Sequence, residues 1–498
     1  FNFGETSVND PRSATTVGEI RPNPAATHGS LPLSLDGSAE VRIALFDLLG
    51  RQQAAFGGYL AAGDHFVEIH GGGLQAGRYI VRVEAAGTLL ASRDLTLLGG
   101  SSGKTEVLVA GGALRADKAG ALPGTYTVEV SHPNYRPVER DVEVNGKTLV
   151  NIDMQRIEFI PEFGRSATMT VIGDGRQGLD VPRDLEFHPL RPYELWVVNR
   201  AFDGTVTYWW PGTDTMEHFR VRDANANHFM EEVSAIAFSE GEYFGTAQET
   251  INTYDGQGQG NNFMGPALWT ADTSIYHKDD VDASWGGLGS HLDMLHESPN
   301  GMGMAHEVDN AYWYADGFYG NIVRYDFAED HGPGWDDHSD GIVRRYIEAR
   351  IQRWPGVPGH LELDKETGWL YIADPGNSRI TRLDIATGNV IGSGNVDGSQ
   401  LEQLQEYTLY ANATVETFVQ DGLDRPSGLV IHNGRLFVSD NGTGEIIAYS
   451  LETGAELNRM ETNAGSIMGI NMGPEGKIWF VDAQRNQVVR IDPDESDD

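Results

Sequence analysis

One motif, repeated six times, constrains this chain more than any other feature of it. The segments LWVVN, YFGTAQ, YWYAD, LYIAD, LFVSD and IWFVD end in a small polar residue at Asn199, Gln248, Asp316, Asp374, Asp440 and Asp482. An apolar strand and a turn precede each copy, and a third alternating stretch follows, such as NIVRYDF, RITRLD, EIIAYS or QVVRID. Repetition of this kind outranks local propensity, because each copy buries its apolar face only by stacking on its neighbours. Alternation with period two makes each copy a small antiparallel sheet, and such sheets hide their edges best when arranged radially in a closed ring. One copy is therefore read as a four-stranded blade, and residues 156–498 as a ring of six. The sixth copy stops after its third strand at Asp492, and ATMTVIG, just before the first copy, supplies the missing outer strand.

The phrases IADPGNSRITRLD, VSDNGTGEIIAYS and VDAQRNQVVRID resemble the NHL repeat, in which an Asp ends the second strand and an apolar third strand follows. The resemblance spans residues 165–494 and implies a six-bladed NHL-type β-propeller.

Ahead of the repeats, a polar lead over residues 1–19 gives way to short apolar alternations separated by Gly-containing turns, the pattern of a small β-sandwich over residues 20–99. Its PNPA opening, LFDLLGR strand and LQAGRYIVRV strand resemble the immunoglobulin-like module of type IX secretion sorting domains and the flagellar hook-cap family. A Gly/Ser break, GGSSGK, opens a second unit over residues 100–155, with a Pro-Asn turn and an Asn-Gly hairpin turn. That unit resembles PEGA-type and carboxypeptidase-regulatory-like β domains, which implies a surface appendage or spacer. The fold class expected is all-β: two small β-sandwich modules followed by a six-bladed NHL-type β-propeller.

Composition narrows the partners. With 36 basic against 73 acidic residues the formal charge is −37, so a nucleic-acid backbone or an anionic bilayer is repelled over most of the surface. No membrane-spanning run occurs. The absence of Cys removes disulfides, thiolate metal sites, iron–sulfur clusters and thiol nucleophiles together. The sequence begins at Phe1 with neither a basic nor an apolar leader segment, which is read as a signal peptide already removed and a secreted, cell-surface or periplasmic protein.

Candidate chemistry lies in the insertions between copies, over residues 249–301 and 327–358. Seven of the fifteen histidines fall between His277 and His360. His306 lies on the inner strand of the third blade, His360 at the start of that of the fourth, and His338 on the loop between them. Three imidazoles arriving from different elements suit zinc, so these three form one candidate metal set. Peptidylamidoglycolate lyases are also six-bladed propellers of this type with zinc held by His at the channel, and His306 and His360 resemble that arrangement. The chain departs from it at Arg183 and Asp184, where the comparison calls for a His; here the two are expected to face the channel as a charged pair and orient an anionic or polar ligand. Asp336, Asp337 and Asp340, in WDDHSDG, are hard oxygen donors at short spacing and form a candidate calcium loop, with Arg344 and Arg345 close enough to neutralise it instead. Calcium is preferred to zinc as the cofactor.

No G-x-S-x-G elbow, phosphate-binding P-loop or H-E-x-x-H occurs. The expected function is therefore an exported interaction or scaffold protein whose propeller binds a protein or glycan. The alternative is a metal-dependent lyase or hydrolase acting on a small secreted substrate.

Overall fold

The computed structural model describes residues 15–494 apart from 22, 24, 26–27, 61, 72–73, 99–104, 111–123, 133–134, 145–151, 153, 155–156, 252–262, 279–286, 336 and 395–401. Strands dominate, and the only α-helix among the described residues is a single turn at Ala226–Phe229. No described helix is long and apolar enough to cross a membrane.

The N-terminal unit is a β-sandwich. One sheet runs Thr16–Val17, His28–Leu35, Gly63–Gly71, Thr105–Ala110, and the other Gln52–Leu60, Ala39–Asp47, Gly77–Ala85, Thr88–Leu97. Period-two alternation sets the core: Leu31, Leu33, Val41, Ile43, Leu45, Val67, Ile69, Val81, Val83, Leu95 and Leu97 are buried in one cluster. Two of its strands lie beyond residues 20–99. Thr16–Val17 falls in the stretch read as a polar lead, and Thr105–Ala110 pairs with Gly63–Gly71 although it follows the GGSSGK break. In the rest of the second expected module, Gly124–His132 and Tyr135–Val144 pair as a two-stranded sheet. Its Pro-Asn and Asn-Gly turns lie outside the described residues.

The C-terminal unit is a six-bladed β-propeller. Blade 1 is Pro182–Phe187, Glu194–Asn199, Gly204–Trp209 and Glu217–Val221; blade 2 is Val233–Phe238, Tyr243–Gln248, Ala267–Thr270 and Asp293–Met294. Blade 3 begins with Gly301–Val308, Ala311–Asp316, Asn321–Asp326 and Ile342–Arg350; blade 4 has Leu361–Asp364, Trp369–Asp374, Arg379–Asp384 and Val415–Val419. Blade 5 has Pro426–His432, Arg435–Asp440, Glu445–Ser450 and Glu456–Glu461. Blade 6 takes Ile467–Met472, Ile478–Asp482 and Gln487–Asp492 from the C-terminal end and Thr168–Gly173 from the N-terminal side, the closure expected from the sequence.

The repeated polar residue has a mechanical reason. Asp440 is fully buried, and its carboxylate accepts the N–H groups of Asp424 and Arg425 (2.7 and 2.9 Å), which lead into the inner strand, and of Gly442 and Thr443 in the following turn. Asp482 does the same for Gly465, Ser466, Gln484 and Arg485. Asn199 takes the N–H of Asp180, and Gln248 donates to the Phe229 carbonyl. One side chain thus satisfies several backbone groups that no ladder reaches.

Inner strands pack closest around the axis, and glycine marks two contacts. A Cβ on Gly428 would sit 2.6 Å from the Ile470 nitrogen, and one on Gly303 2.7 Å from the His360 Cα. The stretch 389–411, inserted between the third and fourth strands of blade 4, forms no blade of its own. Glu406–Ala411 pairs parallel with Ile342–Arg350, and Asn389–Ser393 pairs with Glu406–Ala411, making blade 3 six-stranded.

Candidate functional site

An inner strand is an edge strand, so half of its N–H groups face the channel without a ladder partner. Three carboxyl groups answer this. Asp184 accepts from Ile236 N–H (3.0 Å), Glu186 from Phe238 N–H (2.7 Å) and Glu362 from Ile431 N–H (3.2 Å), each reaching from one inner strand to the next. They surround a cavity of about 310 Å³ at one end of the channel, walled also by Phe238, Met304, Leu429 and Ile470 and by the imidazoles of His306 and His360. At its rim Lys365 Nζ lies 2.9 Å from both Glu240 and His306 Nδ1, while His306 Nε2 lies 2.9 Å from the Asp309 carbonyl.

Burial governs the charge here. It pushes the Asp184 carboxyl up to about 8 against the backbone N–H groups that oppose it, the Glu362 carboxyl up to about 7, and Glu186 well above its ordinary range. Burial also holds His360 down to about 3 and His306 below its usual value. The cavity wall is therefore rich in hydrogen-bonding groups on which burial opposes charge, and its rim carries the Lys365–Glu240 ion pair. His360 is 4% exposed and its Nε2 has no hydrogen-bond partner.

The structure divides the residues singled out in the sequence. His306, His360 and Asp184 line the cavity together, and His360 Nδ1 is 3.4 Å from the Asp184 carboxylate. Arg183 does not line it; its guanidinium is buried 3.5 Å from Glu249, which Arg353 also reaches at 3.0 Å. Adjacent residues on a strand face opposite ways, so Arg183 and Asp184 do not act as a pair on one ligand.

His306, His338 and His360 do not form one metal set. His338 lies beyond the outer strand of blade 2, 2.9 Å from Asp293 and 3.9 Å from Glu402, and among the described residues no group of mutually close ligand atoms contains His306 or His360. Both ring nitrogens of His306 are already engaged by Lys365 and Asp309. The acidic loop is divided: Asp336 lies outside the described residues, the exposed Asp337 accepts from Ser339 N–H, and Asp340 pairs with His331 at 2.9 Å, the two lying with Asp293 in a set of ligand atoms all within 4.8 Å of one another. The neighbouring arginines turn elsewhere, Arg344 to Glu406 and Arg345 to the buried Asp316.

Glu186, Glu362, Glu240 and Lys365 were missed in the sequence. A signal for the first two exists: DLEF and HLEL both place a titratable residue two positions before a glutamate, so Asp184 and Glu186, and His360 and Glu362, share one face of their strands.

These observations define a six-bladed β-propeller with an acid- and imidazole-walled channel. The sequence matches no protein-family model, and no curated protein is significantly similar to it. Solved structures with a related chain trace include an auxiliary nutrient binding protein from Bacteroides ovatus, 11% identical, TM-score 0.41, covering 98% of this chain and 99% of that one. A protein of unknown function from Bacteroides thetaiotaomicron is 9% identical with a TM-score of 0.41, over 98% and 100% of the two chains. Virginiamycin B lyase from Staphylococcus aureus is 11% identical with a TM-score of 0.40, over 66% and 99%. At this level of similarity, the fold of this chain rests on its own strand pairing.

Proposed function

We propose that the propeller is a ligand-binding module that takes a small, uncharged, polyhydroxylated molecule, one or two sugar residues of a glycan, in the cavity at the channel end. The observation that carries this reading is the cavity wall itself: carboxyl groups with spare hydrogen-bonding capacity, burial that opposes charge, and a buried His360 Nε2 lacking a partner. A charged ligand would have to be desolvated against walls where burial opposes charge, with Lys365 and Glu240 at the rim already matched to each other, whereas hydroxyl groups exchange hydrogen bonds with acids and neutral imidazoles. A volume near 310 Å³ is at the lower end of the roughly 300–1,000 Å³ of ligand pockets, which limits the bound part to one or two rings. The protein is read as exported, with its N-terminal modules, sorting-type immunoglobulin-like and PEGA-like, serving as spacers, and with its repeat of the NHL type. The lyase reading at the channel has no comparable support, because His306 has no nitrogen left for a cation.

Calorimetric titration with a panel of mono- and disaccharides tests this, with a simple alkylamine and a simple carboxylate as charged comparators. A saccharide is expected to bind, and His360→Ala and Glu362→Ala to weaken it at least tenfold. Binding of the amine or carboxylate alone, or of no saccharide at all, overturns the proposal.

A further inference from the structure

Between the outer parts of blades 2 and 3 lies a second cluster, which shares no residue with the channel cavity. Three segments meet there: residues 293–298, which leave blade 2; residues 331–340, which join the third and fourth strands of blade 3; and Glu402, on the insertion that extends blade 3. His296 Nδ1 is 2.6 Å from Glu402 Oε2, His338 Nε2 is 3.9 Å from the same oxygen, and the ligand atoms of the three side chains all lie within 4.8 Å of one another.

The outer nitrogens of both imidazoles are held from behind. Asp293 Oδ1 lies 2.9 Å from His338 Nδ1, which turns His338 Nε2 toward Glu402. His228 Nε2 lies 3.5 Å from His296 Nε2, and Phe263 stacks on the His296 ring at 4.0 Å and 9°. A hydrogen-bond acceptor behind a ligating histidine, such as the Asp293 carboxylate behind His338, fixes the ring and raises its basicity toward a metal. Bonds of about 2.0–2.1 Å to zinc set neighbouring ligand atoms about 3.3 Å apart, so the observed 2.6 and 3.9 Å bracket what one ion requires. The donor set, two imidazoles and a carboxylate, suits a borderline-soft divalent cation better than calcium, which takes oxygen ligands.

We propose that His296, His338 and Glu402 bind one zinc-class divalent ion, with a coordination position left for water, and that Asp293 and His228 orient the two imidazoles. The ion takes the place of the direct His296–Glu402 contact, and it pins the inserted segment to blades 2 and 3. This site is independent of the sugar reading of the channel.

The experiment uses the full chain after dialysis against chelator, titrated with zinc in competition with a chromophoric chelator, and with cobalt followed by visible absorption. One equivalent of zinc is expected, with a higher melting temperature and a cobalt spectrum of low coordination number. His338→Ala and Glu402→Gln are each expected to weaken binding about 100-fold or more, and Asp293→Asn about tenfold, while His306→Ala leaves the stoichiometry unchanged. If a ligand variant fails to fold, shown by circular dichroism, the wild-type stoichiometry and cobalt spectrum decide. Absence of stoichiometric zinc in a folded wild-type chain, an octahedral cobalt spectrum, or binding unchanged in folded ligand variants overturns the proposal.

Discussion

At the scale of single residues, the aspartates that end the second strands tie together backbone segments that no apolar side chain could hold by hydrogen bonds. Asp440 gathers four backbone N–H groups with no exposure to water, so removing its carboxylate leaves several buried donors unsatisfied at once. Asp440→Ala is expected to cost about 3–5 kcal/mol in denaturant unfolding, and Asp440→Asn, which keeps one acceptor, distinctly less. Asp492 gives a pH signature. Burial raises its pKa, but Arg490, Lys477 and Thr170 outweigh that and bring it down to about 2 from 3.8. A depressed folded pKa means stability that is complete above the unfolded value and lost as pH falls through the folded one. The contribution, about 2 kcal/mol from the size of the shift, should therefore fade between pH 4 and pH 2. Stability curves of wild type and Asp492→Asn should differ at pH 6 and converge toward pH 2; a constant gap would show that the carboxylate does not carry it.

At the scale of elements, the parallel pairing of Glu406–Ala411 on Ile342–Arg350 shields what would otherwise be an open sheet edge. Thr408 lies opposite Arg344, and a proline there removes an N–H and disrupts the ladder. Thr408→Pro is expected to make the segment 389–411 sensitive to limited proteolysis while the rest of the propeller melts as before; global unfolding would show that the extension is integral to the ring. This element also shows what the sequence made legible and what it hid. The six blades could be read because each repeats the same alternation and the same terminal polar residue, and the closing strand because the sixth copy is visibly one strand short. The extension of blade 3 could not, since a strand that joins a non-consecutive partner carries no local mark of its destination. The candidate site followed the same rule. His306, His360 and Asp184 could be placed at the channel because the repeat gives the direction of the inner strands, although Glu186 and Glu362 on the same strands went unread and Arg183 turns away from the cavity. The neighbours of His338, among them Glu402, could not be read because both residues lie on insertions whose course depends on tertiary packing.

At the scale of the whole molecule, a formal charge of −37 opposes compaction through self-repulsion that salt screens within a Debye length, about 10 Å at 0.1 M. Raising the salt concentration from about 10 to 150 mM is expected to increase the melting temperature by several degrees, with NaCl and KCl equivalent. A melting temperature that falls with salt would mean that the ion pairs outweigh the net repulsion.

The closure of blade 6 has a consequence in time. Thr170 and Asp492, hydrogen-bonded partners in the finished ring, are 322 positions apart. At about 5–20 residues per second of synthesis, the strand Thr168–Gly173 is made roughly 15–60 s before its partner exists. Through that interval blades 1 to 5 can assemble in order, but the seam between first and last stays open, and every nascent chain passes through an unclosed arc. The strand Gln487–Asp492 thus decides whether all the earlier blades are kept, and a chain interrupted before it should be a substrate for chaperones and proteases even with five blades complete.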